Sequence, residues 1–229
     1  MEPIDRKQIA EYYDAFLPHL QQDHVRDNQR LSRVKVKLGS LVKPGMTILD
    51  LGCGTGITSR FMATLGAKVT AVDISPKLIE FARKESNHKN VEYIISDITE
   101  LALQNERGQY WQTFDGIVLV DVFEHVLPDK LFDLFQTIND HSKPEAWVFV
   151  NIPDGRYQEA AHKYIPQKLQ IVDEGYPPQL ILSWFYRNSW GPVDIDIYGV
   201  DVECQYNTFL FKKIEAIEKI HKEFMRGIE

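Results

Sequence analysis

Apolar residues recur at three-to-four spacing through residues 5–42 and then give way to short runs bounded by glycine, proline or polar clusters. The first stretch is expected to be helical. Ile9, Tyr12, Tyr13, Phe16 and Leu17 share one stripe, Pro18 interrupts, and a segment from about Gln22 to Val42 carries Leu31, Val34, Leu38 and Leu41 on another. Pro44-Gly45 marks a turn, after which the pattern alternates between strand and helix. TILDL is a short buried strand, GCGTG a glycine loop, and ITSRFMATLG a helix closed by Gly66. KVTAVD reads as a second strand, Ser75-Pro76 as the N-cap and first residue of the helix PKLIEFARKE, and VEYIIS as a third strand.

FDGIVLV at 114–120 resembles a fully buried strand, Pro128 opens a helix through about Asn139, and AWVFVNI at 146–152 is a fifth strand. Five parallel strands with intervening helices predict an α/β, doubly wound, Rossmann-like sheet. Past Pro153 the pattern loosens. QLILSWFY reads as helix, and PVDIDIYGV with QYNTFLF alternates like paired strands, an antiparallel hairpin closing the sheet. Ile214, Ile217, Ile220 and Phe224 place a last amphipathic helix against the sheet or a second copy, so a monomer or a homodimer is expected. The expected division is 1–43 as a helical cap or lid and 44–229 as the main domain, with 153–190 as an insertion.

Composition narrows the partners. The 229 residues carry 33 acidic and 26 basic side chains, a net charge of −7, so a broad phosphate-binding surface and nucleic acid are disfavoured. No apolar run approaches the roughly 18 residues of a membrane span. Cys53 and Cys204 lie far apart without metal-ligand or disulfide spacing, and the amino terminus is charged from its start. A cytoplasmic protein with no structural metal is expected.

The chemistry concentrates at the strand ends. Asp50-Leu51-Gly52-Cys53-Gly54-Thr55-Gly56 follows a strand and opens a helix, where a doubly wound sheet binds nucleotide-like ligands. A dinucleotide fingerprint would need its third glycine at Ile57, which disfavours an NAD oxidoreductase. Asp50, two positions before the first glycine, would repel a pyrophosphate but suit a ligand bearing an ammonium and a sulfonium, such as S-adenosylmethionine. Asp73 ends the second strand 17 residues after Gly56, placed to accept from ribose hydroxyls. Asp97 ends the third, placed for an adenine amine, and Ile74 and Ile98 offer apolar faces to the ring.

With these residues the chain resembles the class I S-adenosylmethionine-dependent methyltransferases, which have a seven-stranded sheet: ILDLGCGTG at 48–56, VTAVDIS at 69–75, SDI at 96–98 and FDGIVLVDVFEHV at 114–126. The resemblance covers about residues 44–152, and 191–212 looks like the family's closing hairpin. It implies a methyltransferase acting on an oxygen or nitrogen of a small molecule such as a sugar, quinone or secondary metabolite, with S-adenosylhomocysteine as product. By the same likeness, Asp50 and the backbone of Gly52, Cys53 and Gly54 hold the methionine moiety, Asp73 the ribose and Asp97 the adenine amine. The backbone near Val120 and Asp121 holds the ammonium.

Methyl transfer is an in-line displacement that depends on alignment and exclusion of water, and a hydroxyl acceptor also needs a base. Glu124-His125 directly follows the fourth strand, and its EHV triplet looks like that of ubiquinone-pathway O-methyltransferases, so His125 is the candidate base or acceptor-orienting group. Tyr13, beside Tyr12 on the lid, is the third catalytic candidate. Tyr157, His162, Tyr164, Tyr176, Trp184, Phe185, Tyr186 and Trp190 are expected to wall the acceptor pocket, His162 without a visible partner. Two rivals are a metal-assisted transferase using Asp121, Asn151 and Asp154, and a non-catalytic S-adenosylmethionine-binding protein acting through a partner.

Overall fold

The computed structural model describes residues 4–24, 28–103, 113–215 and 217–219. Seven strands form one sheet: β1 (Thr47–Leu51), β2 (Lys68–Asp73), β3 (Val91–Ile95), β4 (Phe114–Val120), β5 (Ser142–Pro153), β6 (Trp190–Tyr198) and β7 (Tyr206–Lys213). Their order is β3-β2-β1-β4-β5-β7-β6. The first five strands are parallel, and β7 pairs antiparallel with both β5 and β6. The chain therefore winds outward from β1 to β3, then returns past β1 to build β4. The strand order reverses between β1 and β4, the place where such sheets open a crevice at their carboxyl ends.

Alternation along the strands sends side chains into two cores. Ile48, Val69, Ala71, Val118 and Phe149 pack beneath α2 (Gln29–Leu41), α3 (Ile57–Thr64) and α4 (Pro76–Glu85), which contribute Val34, Leu38, Met62, Ile79 and Ala82. Leu49, Leu51, Ile117, Leu119, Val148 and Val150 face the other way, under α5 (Leu131–Asp140) and α7 (Pro178–Arg187). Parallel strands covered on both faces are nearly continuous apolar runs, which is why they stand out in the sequence. Ser75 caps α4 as expected, its hydroxyl accepting from Leu78 N–H at 3.1 Å with Pro76 first in the helix.

Several boundaries differ from expectation. Pro18 does not interrupt: it lies in the last turn of α1 (Arg6–Leu20), which continues into a 3₁₀ turn at Gln21–His24. The proline forfeits one backbone bond there, while Phe16 and Leu20 on either side line the crevice. β5 starts at Ser142, four residues early, because Ser142 pairs with Phe114 before a register shift carries the strand to Gly116 opposite Trp147. Helix α6 (Gly155–Tyr164) was not anticipated, since its buried positions are Gly155, Gln158 and Ala161, no apolar stripe at all. Residues 214, 215 and 217–219 are helical, whereas Ile220 and Phe224 of the expected last helix lie outside the described residues. Among the described residues no helix is long and apolar enough to cross a membrane.

Candidate active site

The loop between β1 and α3 gives each of its glycines a different reason to be glycine. All three have positive φ, +71° at Gly52, +53° at Gly54 and +78° at Gly56. A Cβ on Gly52 would overlap the Val122 side chain, and one on Gly56 would lie 2.5 Å from the Tyr93 hydroxyl. At Gly54 it would meet nothing within 4 Å among the described residues, and Gly54 lines the cleft. Asp73 organises the loop: one carboxylate oxygen accepts from Gly54 N–H at 2.9 Å and the other from Ser75 N–H at 2.9 Å. Burial raises its pKa, and those bonds oppose the rise.

Asp50 is placed differently from its neighbours. It points to the α3 face, where one oxygen accepts from Ser59 at 2.5 Å and Thr58 at 3.0 Å, and it is not on the cleft wall. Burial pushes its pKa up to about 6. The other expected donor-side residues, Gly52, Cys53, Gly54, Asp73, Ile74, Asp97, Ile98, Val120 and Asp121, all line one cleft of about 730 Å³. Asp97 accepts from Thr99 N–H at 2.9 Å and its hydroxyl at 2.8 Å, and Arg6 of α1 approaches to 4.0 Å. Asp121 has φ +53° and accepts from the Asn151 amide at 2.7 Å.

Arg30 was missed by sequence reasoning. It projects from the first turn of α2 into the same cleft, paired with Asp121, 3.8 Å from Asp23, and over the Tyr206 ring at 6.0 Å. An arginine on the polar side of an amphipathic helix carries no signal until the helix is docked.

The three catalytic candidates converge. Phe123–His125 forms a 3₁₀ turn after β4, and Glu124 and His125 both reach the cleft, with His125 Nε2 3.8 Å from Glu124 Oε1. His125 Nδ1 lies 2.6 Å from the Val172 carbonyl, so Nδ1 carries the proton of that bond. Burial lowers the imidazole pKa, so the neutral ring with a free Nε2 lone pair dominates at pH 7. Burial also pushes Glu124 up to about 8, which leaves it mainly protonated at neutral pH. Tyr13 meets the His125 ring edge-on at 6.1 Å, and burial, then Glu124 and Asp73, hold its phenol well above its ordinary range. Among the described residues, Tyr13 Oη and Glu124 Oε2 are buried on the cleft without a hydrogen-bond partner.

The aromatic wall expected from 153–190 is largely not there. Tyr157 lines the cleft, but Tyr176, Trp184 and Phe185 pack around Phe123, Trp190 is buried in the same core, and Tyr164 and Tyr186 are exposed. The cause is that α7 covers the sheet face, stacking Phe185 on Phe211 at 3.9 Å. In place of aromatics, that side of the cleft presents Gln158, Ala161, Ile165, Leu169, Gln170 and Asp173. His162 does have a partner, the Asp173 carbonyl at 2.6 Å.

The strand order, the glycine loop with an acid closing β2, and the open face at Gly54 together define a class I S-adenosylmethionine-dependent methyltransferase. Residues 22–202 match the family model of the methyltransferase domain, and the chain belongs to that family. A ubiquinone biosynthesis O-methyltransferase of Actinobacillus pleuropneumoniae serotype 5b is 34% identical over 172 residues, 70% of this chain and 71% of that protein. The mitochondrial one of Schizosaccharomyces pombe is 40% identical over 106 residues, 43% of this chain and 36% of its own length. In fold the chain is similar to magnesium protoporphyrin IX methyltransferase from Synechocystis PCC 6803, crystallised with S-adenosylhomocysteine. That match has a TM-score of 0.72 at 14% identity, covering 92% of this chain and 100% of the other. The protein is an enzyme that uses S-adenosylmethionine to methylate a small-molecule acceptor.

Proposed function

We propose that this methyltransferase acts on an acidic hydroxyl, a phenol or enol oxygen of a quinone-like small molecule, with His125 as the base. The observation that carries the reading is the 2.6 Å bond from His125 Nδ1 to the Val172 carbonyl, which leaves Nε2 as the ring's acceptor atom in a cleft that keeps the ring neutral. A base weakened by burial suits an acceptor of pKa about 10, as in a phenol, far better than an aliphatic hydroxyl, which is as weak an acid as water. The O-methyltransferase relatives support oxygen over nitrogen and a ubiquinone-type ring over a sugar.

When bound, S-adenosylmethionine supplies an electrophilic methyl on a sulfonium whose departure as a neutral thioether needs no acid. Asp73 takes the ribose hydroxyls, Asp97 the adenine amine between Ile74 and Ile98, and the Gly52, Cys53 and Gly54 backbone lies along the methionine, with Asp50 steadying the loop from beneath through Thr58 and Ser59. The Val120 and Asp121 carbonyls accept from the ammonium, and the Arg30 guanidinium, paired with Asp121, faces the carboxylate. On the acceptor side, His125 removes the hydroxyl proton, protonated Glu124 donates to a second acceptor oxygen, and Tyr13 closes the site from α1 and excludes water. The lid reading of residues 1–43 rests on Ile9, Tyr13 and Phe16 reaching the cleft. The free thiols of Cys53 and Cys204 support a cytoplasmic setting.

His125→Gln is the test. It is expected to lower kcat by about 10²- to 10⁴-fold while S-adenosylhomocysteine binds as tightly as before by calorimetry. Full turnover in that variant would remove His125 as the base and leave an acceptor that ionises unaided.

A further inference from the structure

Residues 169–177 run as a strap across the catalytic turn and bond to three consecutive residues of it. Val172 O receives His125 Nδ1–H at 2.6 Å, Glu174 N–H donates to Glu124 O at 2.8 Å, and Tyr176 Oη–H donates to Val126 O at 3.2 Å. The strap is in turn fastened to α6 at one residue. The Asp173 carboxylate accepts from the Gln158 amide and from Gln170 N–H at 3.1 Å, and the Asp173 carbonyl accepts from His162 Nε2–H at 2.6 Å. Gln158 and His162 stand one turn apart on α6, and Gln158 is 4% exposed. Backbone packs directly on backbone at the same seam: a Cβ on Gly155 would lie 2.8 Å from Pro177 N, and one on Gly175 3.2 Å from Gly155 O.

We propose that Asp173 is a positioning residue, whose anchorage of the strap to α6 holds the His125 proton on Nδ1 and keeps Nε2 free. The inference deepens the reading of His125 as the base and rests on it. A histidine side chain free in water favours the proton on Nε2, the atom that must be bare to accept a proton from the acceptor. A carbonyl only accepts, so Val172 O selects the less favoured tautomer for as long as the strap stays in place. The charged or titratable groups around the ring are Glu124 on its own turn, Asp173 on the strap and Tyr13 on α1, with Arg30 of α2 facing Glu124. None of these donates a hydrogen bond to Nδ1, so the tautomer depends on the strap.

The ring-nitrogen signals of the full chain saturated with S-adenosylhomocysteine test this, the His125 signals being identified by their loss in His125→Gln. In the unsubstituted protein Nδ1 is expected to be protonated and Nε2 bare. In Asp173→Asn, which leaves Gln158 or Gln170 without an acceptor, the Nε2–H form is expected to become substantial, with S-adenosylhomocysteine affinity unchanged. A folded Asp173→Asn that keeps the pure Nδ1–H form overturns the proposal, as does an unsubstituted protein with Nε2 protonated. A residue that only stabilised the fold would lower the melting temperature and leave these signals alone. If Asp173→Asn does not fold, Gln158→Leu removes the same anchor with the carboxylate intact, and its spectrum decides. Unaltered turnover in His125→Gln would retire the base and leave the tautomer result standing, so the two failures are distinguishable.

Discussion

The two halves of the cleft are built on opposite plans. On the donor side, residues 52–54, 73–74, 97–98 and 120–121 sit at the carboxyl ends of adjacent parallel strands, and each is placed by the backbone it belongs to. On the acceptor side, Tyr13, Glu124, His125, Gln158 and Asp173 arrive from four separate stretches of chain, and side-chain bonds fix two of the joins, His125 to the Val172 carbonyl and Gln158 to Asp173. The contrast extends to packing. β1 and β2 lie in the doubly covered sheet, whereas α1 has no fully buried residue and α6 buries only Gly155, Gln158 and Ala161. On the reading proposed above, a cofactor common to a whole class would be held by the rigid layer, and the part that must suit one acceptor would be built from elements easily exchanged.

The sharpest way to break this comparison is at the glycine loop. Gly52→Val places a β-branched side chain at φ +71° against Val122, so it is expected to lose at least about 3 kcal/mol of stability in urea unfolding and all S-adenosylhomocysteine binding. Gly54→Ala, whose Cβ points into the open cleft, is expected to cost only about 1–2 kcal/mol of fold while still weakening ligand binding. Equal binding by the Gly54 variant and the unsubstituted protein would show that the ligand does not approach the backbone there.

Next in size is a pH effect that separates the halves. Glu124 is raised by burial from 4.5 to about 8 and Asp50 from 3.8 to about 6, so each keeps its proton in the folded state over a range where the unfolded chain has lost it. Their contributions are full at low pH and fall as pH rises through the folded values, so the decline between pH 6 and 8 belongs to Glu124. Glu124→Gln removes the ionisation, so the unsubstituted protein is expected to lose about 2 kcal/mol relative to it between pH 6 and pH 8, about 4–8 °C in Tm. Parallel Tm–pH curves for the two proteins would show that Glu124 does not carry the transition.

The smallest expected effect concerns the anchorage of α1. Asp14 of α1 accepts from Ser75 Oγ at 2.5 Å and from Lys77 N–H at 3.0 Å, adding a second cap to the start of α4. Asp14→Ala is expected to cost about 1 kcal/mol and to make α1 more open to limited proteolysis, with a modest rise in the S-adenosylhomocysteine dissociation constant. Unchanged proteolysis would place the anchorage of α1 elsewhere, for instance at Arg6 with Glu100.

How legible each half is in the sequence follows from how it is made. β1, β2 and β4 lie where their apolar runs place them, and the Gly-x-Gly-x-Gly spacing finds the donor loop, because left-handed backbone and buried strands restrict residue type locally. Asp50 shows the limit of that logic, since its distance along the chain from Gly52 does not say that alternation turns it toward Thr58 and Ser59. Across the cleft, EHV marks His125 and Glu124, but nothing in the local pattern marks Arg30, Asp173 or the partner of His162. The aromatics of 153–190 misled for the same reason: a core position under α7 and a pocket wall both select large rings.

Taken alone, the amino-acid sequence determined the sheet and the donor loop, because both depend on backbone conformation and on periodicity within a few residues, and the motifs at the strand ends carried the likeness to a methyltransferase family. Only the tertiary structure decided which face of the cleft each side chain occupies, that Arg30 reaches Asp121, and that the Val172 carbonyl accepts a hydrogen bond from His125. Those outcomes depend on how separate helices dock and on what their burial does to an imidazole and a carboxyl, and neither is encoded in neighbouring residues.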